Sequence, residues 1–362
     1  LCRRRWLRNE KRLAYIRAEE RLRGIAPRRI HPLTIGAKKQ KLVRTISPPS
    51  VLDLEGNYSA TIQFFKNIRF ATNALNGKFL VDLKVVDEIS PAAALLMVAE
   101  FDRWREKTPL KWLRAVDAGD WTPSVRRRLK EMGFFEVLGT RNLPEDEYVP
   151  GEDRYVPFLT GSRSVGQPAR DLRERIEAIG QDIVDSSALY DGLVEAMTNV
   201  KQHAYQGKQG LTEEPQRWWI SASVNMSHNK MTVMVVDHGA GIARTLPRSS
   251  KWEKIRMALP LKLLKDDAKI LEAAFAMEAG NRSQTREEFR GKGLRENIKG
   301  YVESHNSRGQ LHVIANHARY RFVRDSSTMN EEEGSVRLPV PFGGTFIEWI
   351  IEDYGQQPDD RD

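Results

Sequence analysis

A single cysteine, Cys2, stands in 362 residues, so the chain can build neither an internal disulfide nor a cysteine-based zinc cluster. Long hydrophobic runs are missing too: no apolar stretch approaches the ~20 residues that span a bilayer, and no signal peptide is visible. A soluble, cytoplasmic protein without membrane contact is therefore expected. Histidine is sparse upstream, where His31 is the only one before His203. A Walker loop, with four residues between its glycines and a closing Lys-Ser/Thr, is absent as well. Acidic residues are scarce in one region only. Residues 1–44 hold 15 Lys/Arg and 3 Asp/Glu, and since the whole chain carries +9, the remaining 318 residues carry −3. The basicity belongs to an N-terminal arm in which Trp6, Leu7, Leu13, Ile16 and Leu22 recur at loosely helical spacing. Such an arm suits nucleic acid or an acidic partner, and a solvated tail fits it equally well.

The length suits two domains with a linker and tails. A basic arm over 1–44 is followed by an α/β domain over 45–140. A linker over 141–167, with three prolines, three glycines and a Glu/Asp cluster, leads to a second domain over 168–352 and a polar tail over 353–362. Leu1 in place of Met predicts that the chain starts inside a longer protein.

What is present is concentrated in the second domain. In Glu195-Ala-Met-Thr-Asn-Val-Lys-Gln-His-Ala204, spacings of four and four place Glu195, Asn199 and His203 along one stripe of a helix. Leu193, Val194, Ala196, Met197 and Val200 give that helix an apolar side. Any surface helix can show a polar stripe, so the stripe gains meaning only from two later segments. The apolar strand from Met231 ends in Asp237 and is followed by Gly239 and Gly241. Gly291-Lys-Gly-Leu294 then opens a helix whose apolar side is Leu294, Ile298, Tyr301 and Val302. Phosphate at such a helix start would meet free N–H groups and the positive end of the dipole.

These segments, in this order, resemble the boxes of the GHKL superfamily, the ATP-binding fold of gyrase, heat-shock chaperones, histidine kinases and MutL. Glu195/Asn199/His203 resembles the N box, Asp237-x-Gly239-x-Gly241 the first glycine box, and Gly291-x-Gly293-Leu294 the second. Gly344-Thr345, before the strand Phe346–Ile351, resembles the last. The resemblance implies a Bergerat-type α/β sandwich over about 170–352 that binds ATP and Mg²⁺. It implies Asp237 on the adenine amino group, with Thr345 completing that contact and Gly239 and Gly241 letting the backbone pass close to the base. A carboxylate only accepts hydrogen bonds, which suits an exocyclic amine. Asn199 is the implied magnesium ligand, one amide oxygen beside phosphate oxygens and waters. Glu195 is the implied base for the attacking water. Two readings of His203 stay open, contact with phosphate or packing at the helix end. Gly291, Lys292, Gly293 and Leu294 are assigned to the phosphates.

About 48 residues, Ala243 to Arg290, separate the two glycine boxes and read as a lid with a helical pattern from Trp252 to Met277. Arg282, Arg286, Arg290 and Lys292 are candidates for the γ-phosphate, although each alone also reads as part of a solvated basic loop.

The upstream half reads as strand Lys78–Val86, helix Ala92–Trp104, strand Leu110–Val116 and helix Pro123–Met132, a βαβ-type pattern. Val85–Leu95 and Pro123–Phe134 resemble the STAS domain of anti-sigma-factor antagonists. Where that family carries a phosphorylated serine this chain has Pro91-Ala92, so the resemblance implies an interaction module without the phospho-switch. Ser90 is read as a helix N-cap before Pro91. A Glu-rich, Pro-containing stretch over Asn330–Pro341 is expected to be a partner-binding loop.

A phosphoacceptor histidine on a helix before the N box is missing, which argues against an autokinase. The short stretch after Ile351 predicts no transducer domain of the gyrase or MutL type. The expected function is an Mg-ATP-dependent regulator, a weak ATPase whose lid controls binding of an unidentified protein partner. A protein serine kinase of the anti-sigma type and a nucleic-acid-associated ATPase are the alternatives, and homodimerisation is left open.

Overall fold

The computed structural model describes residues 27–28, 43–74, 78–107, 113–141, 143–147, 149–162, 166–179, 186–205, 216–248, 252–276, 293–305 and 308–352. Most of the basic arm and the whole C-terminal tail lie outside these residues. The chain divides into two compact units, Leu1–Asp146 and Glu147–Asp362. Among the described residues no helix is long and apolar enough to cross a membrane.

The first unit holds the strands β1 (Pro27–Arg28), β2 (Val43–Ile46) and β3 (Val51–Leu52), then the helix α1 (Tyr58–Ala74). After it come β4 (Lys78–Val81), β5 (Glu88–Ile89), α2 (Pro91–Lys107), β6 (Leu113–Ala115), α3 (Pro123–Glu131) and α4 (Phe134–Leu138). The main sheet has the order β1-β2-β4-β6, parallel across β2, β4 and β6, and β3 pairs with β5 separately. Parallel neighbours need crossovers, and the helices supply them. Helix α2 starts as expected: Ser90 Oγ accepts the Ala93 N–H at 3.3 Å and Pro91 takes the first helical position, where its missing N–H costs nothing. Its buried side also carries charge. Glu100 and Arg103 are fully buried, and Glu100 receives both Arg103 and Arg69 of α1. Removing one member of such a cluster typically costs ~3–5 kcal/mol.

The structure departs from the expected pattern in two places here. The strand stops at Val81 instead of Val86; the chain turns at Asp82–Lys84, and Val85 is exposed. Helix α1, with Ile62, Phe65 and Ile68 buried, was not anticipated.

The second unit is built on an antiparallel sheet of order β11-β12-β10-β9-β7, with β8 also on β9. Its strands are β7 (Arg154–Tyr155), β8 (Leu159–Gly161), β9 (Trp218–Asn225), β10 (Lys230–Asp237), β11 (Arg308–Asp325) and β12 (Asn330–Glu352). Its helices include α5 (Gly166–Ile179), α6 (Ser186–Asn199), α7 (Ile242–Thr245), α8 (Trp252–Ala258), α9 (Asp267–Ala276) and α10 (Gly300–Ser304). Alternate residues of the strands, among them Ile220, Ala222, Val233, Val235, Val313, Ile347 and Trp349, join Leu172, Ile176, Leu193 and Met197 of the helices in one core. The period-2 alternation of the strands makes this one face of the sheet.

Three expectations are revised in this unit. Residues 154–155 and 159–161, expected within a linker, are strands on β9. Residues 330–341, expected to be a partner-binding loop, lie in β12. There Glu331 to Arg337 pair with Arg324 to Ala318, and Pro339 and Pro341 fall where the register shifts, so no ladder bond is lost. The lid expectation is also narrowed. Ile255, Leu271 and Phe275 are buried in the core, Phe275 stacks on Tyr320 of β11 at 4.2 Å, and Ser335 Oγ of β12 lies 2.9 Å from the Ala268 carbonyl oxygen while its proton goes to Glu272 of α9. Residues 252–276 are thus part of the folded body, and the stretch of the expected lid after α9, 277–290, lies outside the described residues.

Candidate functional site

The segments around Glu195, Asp237 and Thr345 are neighbours in the second unit, and of Gly291–Leu294 only Gly293 and Leu294 are among the described residues. Asp237 ends β10, where its Cα faces Thr345 of β12 on one side and Trp218 of β9 on the other. Directly opposed residues of an antiparallel pair project to the same face, so the side chains of Asp237 and Thr345 are neighbours on the face that carries the helices. Both are buried, at 3% and 6% exposure. Asp237 Oδ1 accepts the Gly239 N–H and so fixes the first turn of the glycine loop.

That loop is tied to the end of the N-box helix. The Ala240 N–H donates to the Ala204 carbonyl at 2.6 Å. A Cβ on Gly239 would lie 2.4 Å from the Ala204 Cβ and 2.7 Å from its carbonyl oxygen, so no other residue permits this approach. Gly344 is more constrained. Its φ is +125°, and a Cβ there would stand 1.9 Å from the Asp237 carbonyl oxygen.

Along α6 the apolar side is as expected, with Leu193, Ala196 and Met197 buried, and Glu195 and Asn199 are half-buried. Asn199 Nδ2 donates to Glu195 Oε1 at 3.1 Å. This bond turns the amide oxygen of Asn199 away from the carboxylate, leaving it as the kind of donor a magnesium ion takes. Among the described residues no group of three or more His, Cys, Asp or Glu could hold a metal ion, so a magnesium ion here would take this one amide oxygen and complete its shell with water and phosphate.

His203 departs from the expected stripe. After Asn199 the helix continues as a π-helix, Val200–Ala204, whose i→i+5 bonds break the four-residue spacing, and His203 is exposed. A second π-helix, Gly293–Lys299, follows the second glycine box, and Leu294 at its start is buried. It packs on α6, where a Cβ on Gly192 would come within 3.0 Å of the Asn297 carbonyl oxygen. Trp349 Nε1 donates to the Ile298 carbonyl at 2.7 Å and pins the same helix to the sheet. Short π-helical segments are frequent at functional sites, and here one follows Asn199 and the other starts at Gly293. Gly291 and Lys292 lie outside the described residues, as do Arg282, Arg286 and Arg290.

Several neighbours of the site were not anticipated. Asn316 sits at a bulge of β11 with φ +54° and packs against Gly241, and its Nδ2 donates to the Ala240 carbonyl at 2.7 Å. An asparagine in the left-handed region marks such a kink, but a sequence does not reveal φ. Tyr205 Oη donates to the Arg217 carbonyl at 3.0 Å and accepts the His238 N–H at 3.3 Å, so it clamps the residue after Asp237. Trp218, fully buried, flanks Asp237 on β9.

No family model and no curated protein matches the chain. Among solved structures, the B-subunit of DNA gyrase from Myxococcus xanthus is similar over 51% of this chain at 9% identity, with a TM-score of 0.21. The chain spans 43% of that subunit's length. A superposition this loose bears no weight for fold or function.

Proposed function

We propose that the second unit binds Mg-ATP and acts as an ATP-dependent regulator, with slow hydrolysis. One observation carries the reading: a buried carboxylate, Asp237, lies beside a buried hydroxyl, Thr345, under a glycine loop that rests on the end of the Glu195/Asn199 helix. Adenine would place its amino group on Asp237 with Thr345 completing the contact. Asn199 would offer its amide oxygen to the magnesium ion, which neutralises phosphate charge when bound, and Glu195 would orient and deprotonate the attacking water. The N–H groups opening the helix at Gly293 suit the phosphates, and Gly291 and Lys292, outside the described residues, are assigned to the same role. In this reading the expected lid, whose 277–290 part lies outside the described residues, would change the surface shown to a protein partner on closing. The upstream unit, with Ser90 engaged as a helix cap, serves in this reading as an interaction module of STAS type.

Calorimetry with ATP, with and without magnesium, on the wild type and Asn199→Ala tests the proposal. Magnesium-dependent ATP binding that is lost in the variant, with its melting curve unchanged, is the expected result. Equal affinity of both proteins for Mg-ATP refutes the N-box assignment. With γ-labelled ATP, label should accumulate slowly as free phosphate; label on protein would instead mean a serine kinase.

A further inference from the structure

The strongest feature outside the nucleotide site is the surface formed by α8 and the 3-10 helix that follows it, Leu261–Lys265. This segment is anchored: Ile255 is fully buried, and Trp252, Leu259 and Leu264 pack partly buried against the core. Despite those anchors, Met257 and Leu261 stand 76% and 80% exposed. Among the described residues no other two large exposed apolar side chains lie so near in sequence. Lys254, Arg256, Lys262 and Lys265 are exposed around them, and Glu253 is the single acid between 252 and 265. Its carboxylate already lies 3.4 Å from Arg256.

We propose that this surface docks on an anionic membrane, with Met257 and Leu261 entering the headgroup boundary and the four cations resting on lipid phosphates and carboxylates. Charge complementarity alone would also admit a nucleic-acid backbone. Phosphates, however, would satisfy the cations and leave both hydrocarbon side chains in water, and single strands are held by stacking on aromatic rings, which Met257 and Leu261 lack. A lipid interface offers anions and hydrocarbon together at every point, and long cationic side chains reach its headgroups from beside a buried apolar residue. This is peripheral adsorption through a folded patch, which leaves no long apolar run in the sequence. The inference is independent of the nucleotide reading.

Vesicle flotation of the full chain is the test, with phosphatidylcholine alone against phosphatidylcholine containing about a third phosphatidylserine. Preferential binding to the anionic vesicles is expected. Met257→Asp/Leu261→Asp should lower that binding at least ~tenfold, because both apolar contacts are removed and two repelling charges added. Lys254→Gln/Lys262→Gln, confined to exposed positions, should weaken the preference for anionic lipid. Circular dichroism and melting curves identify any variant that fails to fold, and the lysine variant then decides. The N-terminal arm is identical in all proteins, so its own attraction cancels from the comparison. Binding of both variants within twofold of wild type overturns the proposal. So does absent vesicle binding by the wild type, or a loss confined to duplex DNA or heparin, which would point to a polyanionic partner.

Discussion

Exchanging Asp237 for Asn replaces one oxygen by an NH₂ group and leaves size and shape almost unchanged. In the wild type Oδ1 holds the Gly239 N–H, and a carboxylate has about four acceptor sites, so an adenine amine can be received as well. Asn has one acceptor atom. If it keeps the Gly239 bond, its NH₂ faces the adenine NH₂ and two donors meet in a site that is 3% exposed. The loss combines a hydrogen bond to a charged acceptor, ~1.5–3 kcal/mol, with a buried donor left unsatisfied, ~1–3 kcal/mol, so a net ~2–4 kcal/mol is reasonable. That is roughly 30- to 1000-fold in Kd. The glycine loop keeps its own bond, so the melting temperature should move by only a few degrees. The NH₂ that repels adenine should donate to the carbonyl of hypoxanthine, and Asp237→Asn should therefore shift preference from ATP toward ITP. Calorimetry with both nucleotides on both proteins measures this. ATP affinity within threefold of wild type, with no change in the ATP/ITP ratio, refutes the assignment of Asp237 to the base.

Glu195→Gln should bind ATP normally and hydrolyse it ~10²–10⁴-fold more slowly, since the amide keeps reach but loses basicity; wild-type turnover in a phosphate-release assay would remove Glu195 from the chemistry. Burial alone would raise the Glu272 carboxyl, but hydrogen bonds from Ser335 and Lys269 outweigh it and hold the group below its ordinary value. A depressed folded-state value stabilises the protein above the unfolded carboxylate value and ceases to do so as pH falls through the folded one. Ser335→Ala should therefore lower the unfolding free energy measured with urea at about pH 7, by up to ~1 kcal/mol for this half-exposed group, and the gap should narrow as pH falls below the ordinary carboxylate value. A gap of constant size over that range contradicts the coupling.

The parts of the site legible in the sequence were those fixed by local chemistry. An apolar strand ending at Asp237 with glycines after it, and a helix with one apolar side around Glu195 and Asn199, announce themselves through period and composition. Ser90 before Pro91 was readable as a cap for the same reason. What stayed hidden depends on partners distant in sequence. The switch to a π-helix at Val200 accompanies the contact of Ala204 with the glycine loop, and that contact spans more than thirty residues. Residues 330–341 look like a loop because three glutamates and two prolines are poor strand formers, yet β11 supplies a ladder and the bulge opposite Asn316 absorbs the prolines. Strands β7 and β8 are too short to show alternation, and they exist because β9 offers them an edge.

The position of β12 bears on how the protein is made. The strand later in sequence than any other described strand lies between β11 and β10, so it is central to the sheet. A ribosome therefore releases Asp237 well before Thr345, and at ~5–20 residues per second the interval is several seconds or more. Until then the inner edge of β10 has open N–H and C=O groups, and the carboxylate has no hydroxyl beside it. A nascent chain stopped short of β12 would carry two apolar edges ready to pair with another chain. Translation pausing within 309–344 should raise aggregation, whereas pausing after 352 should not.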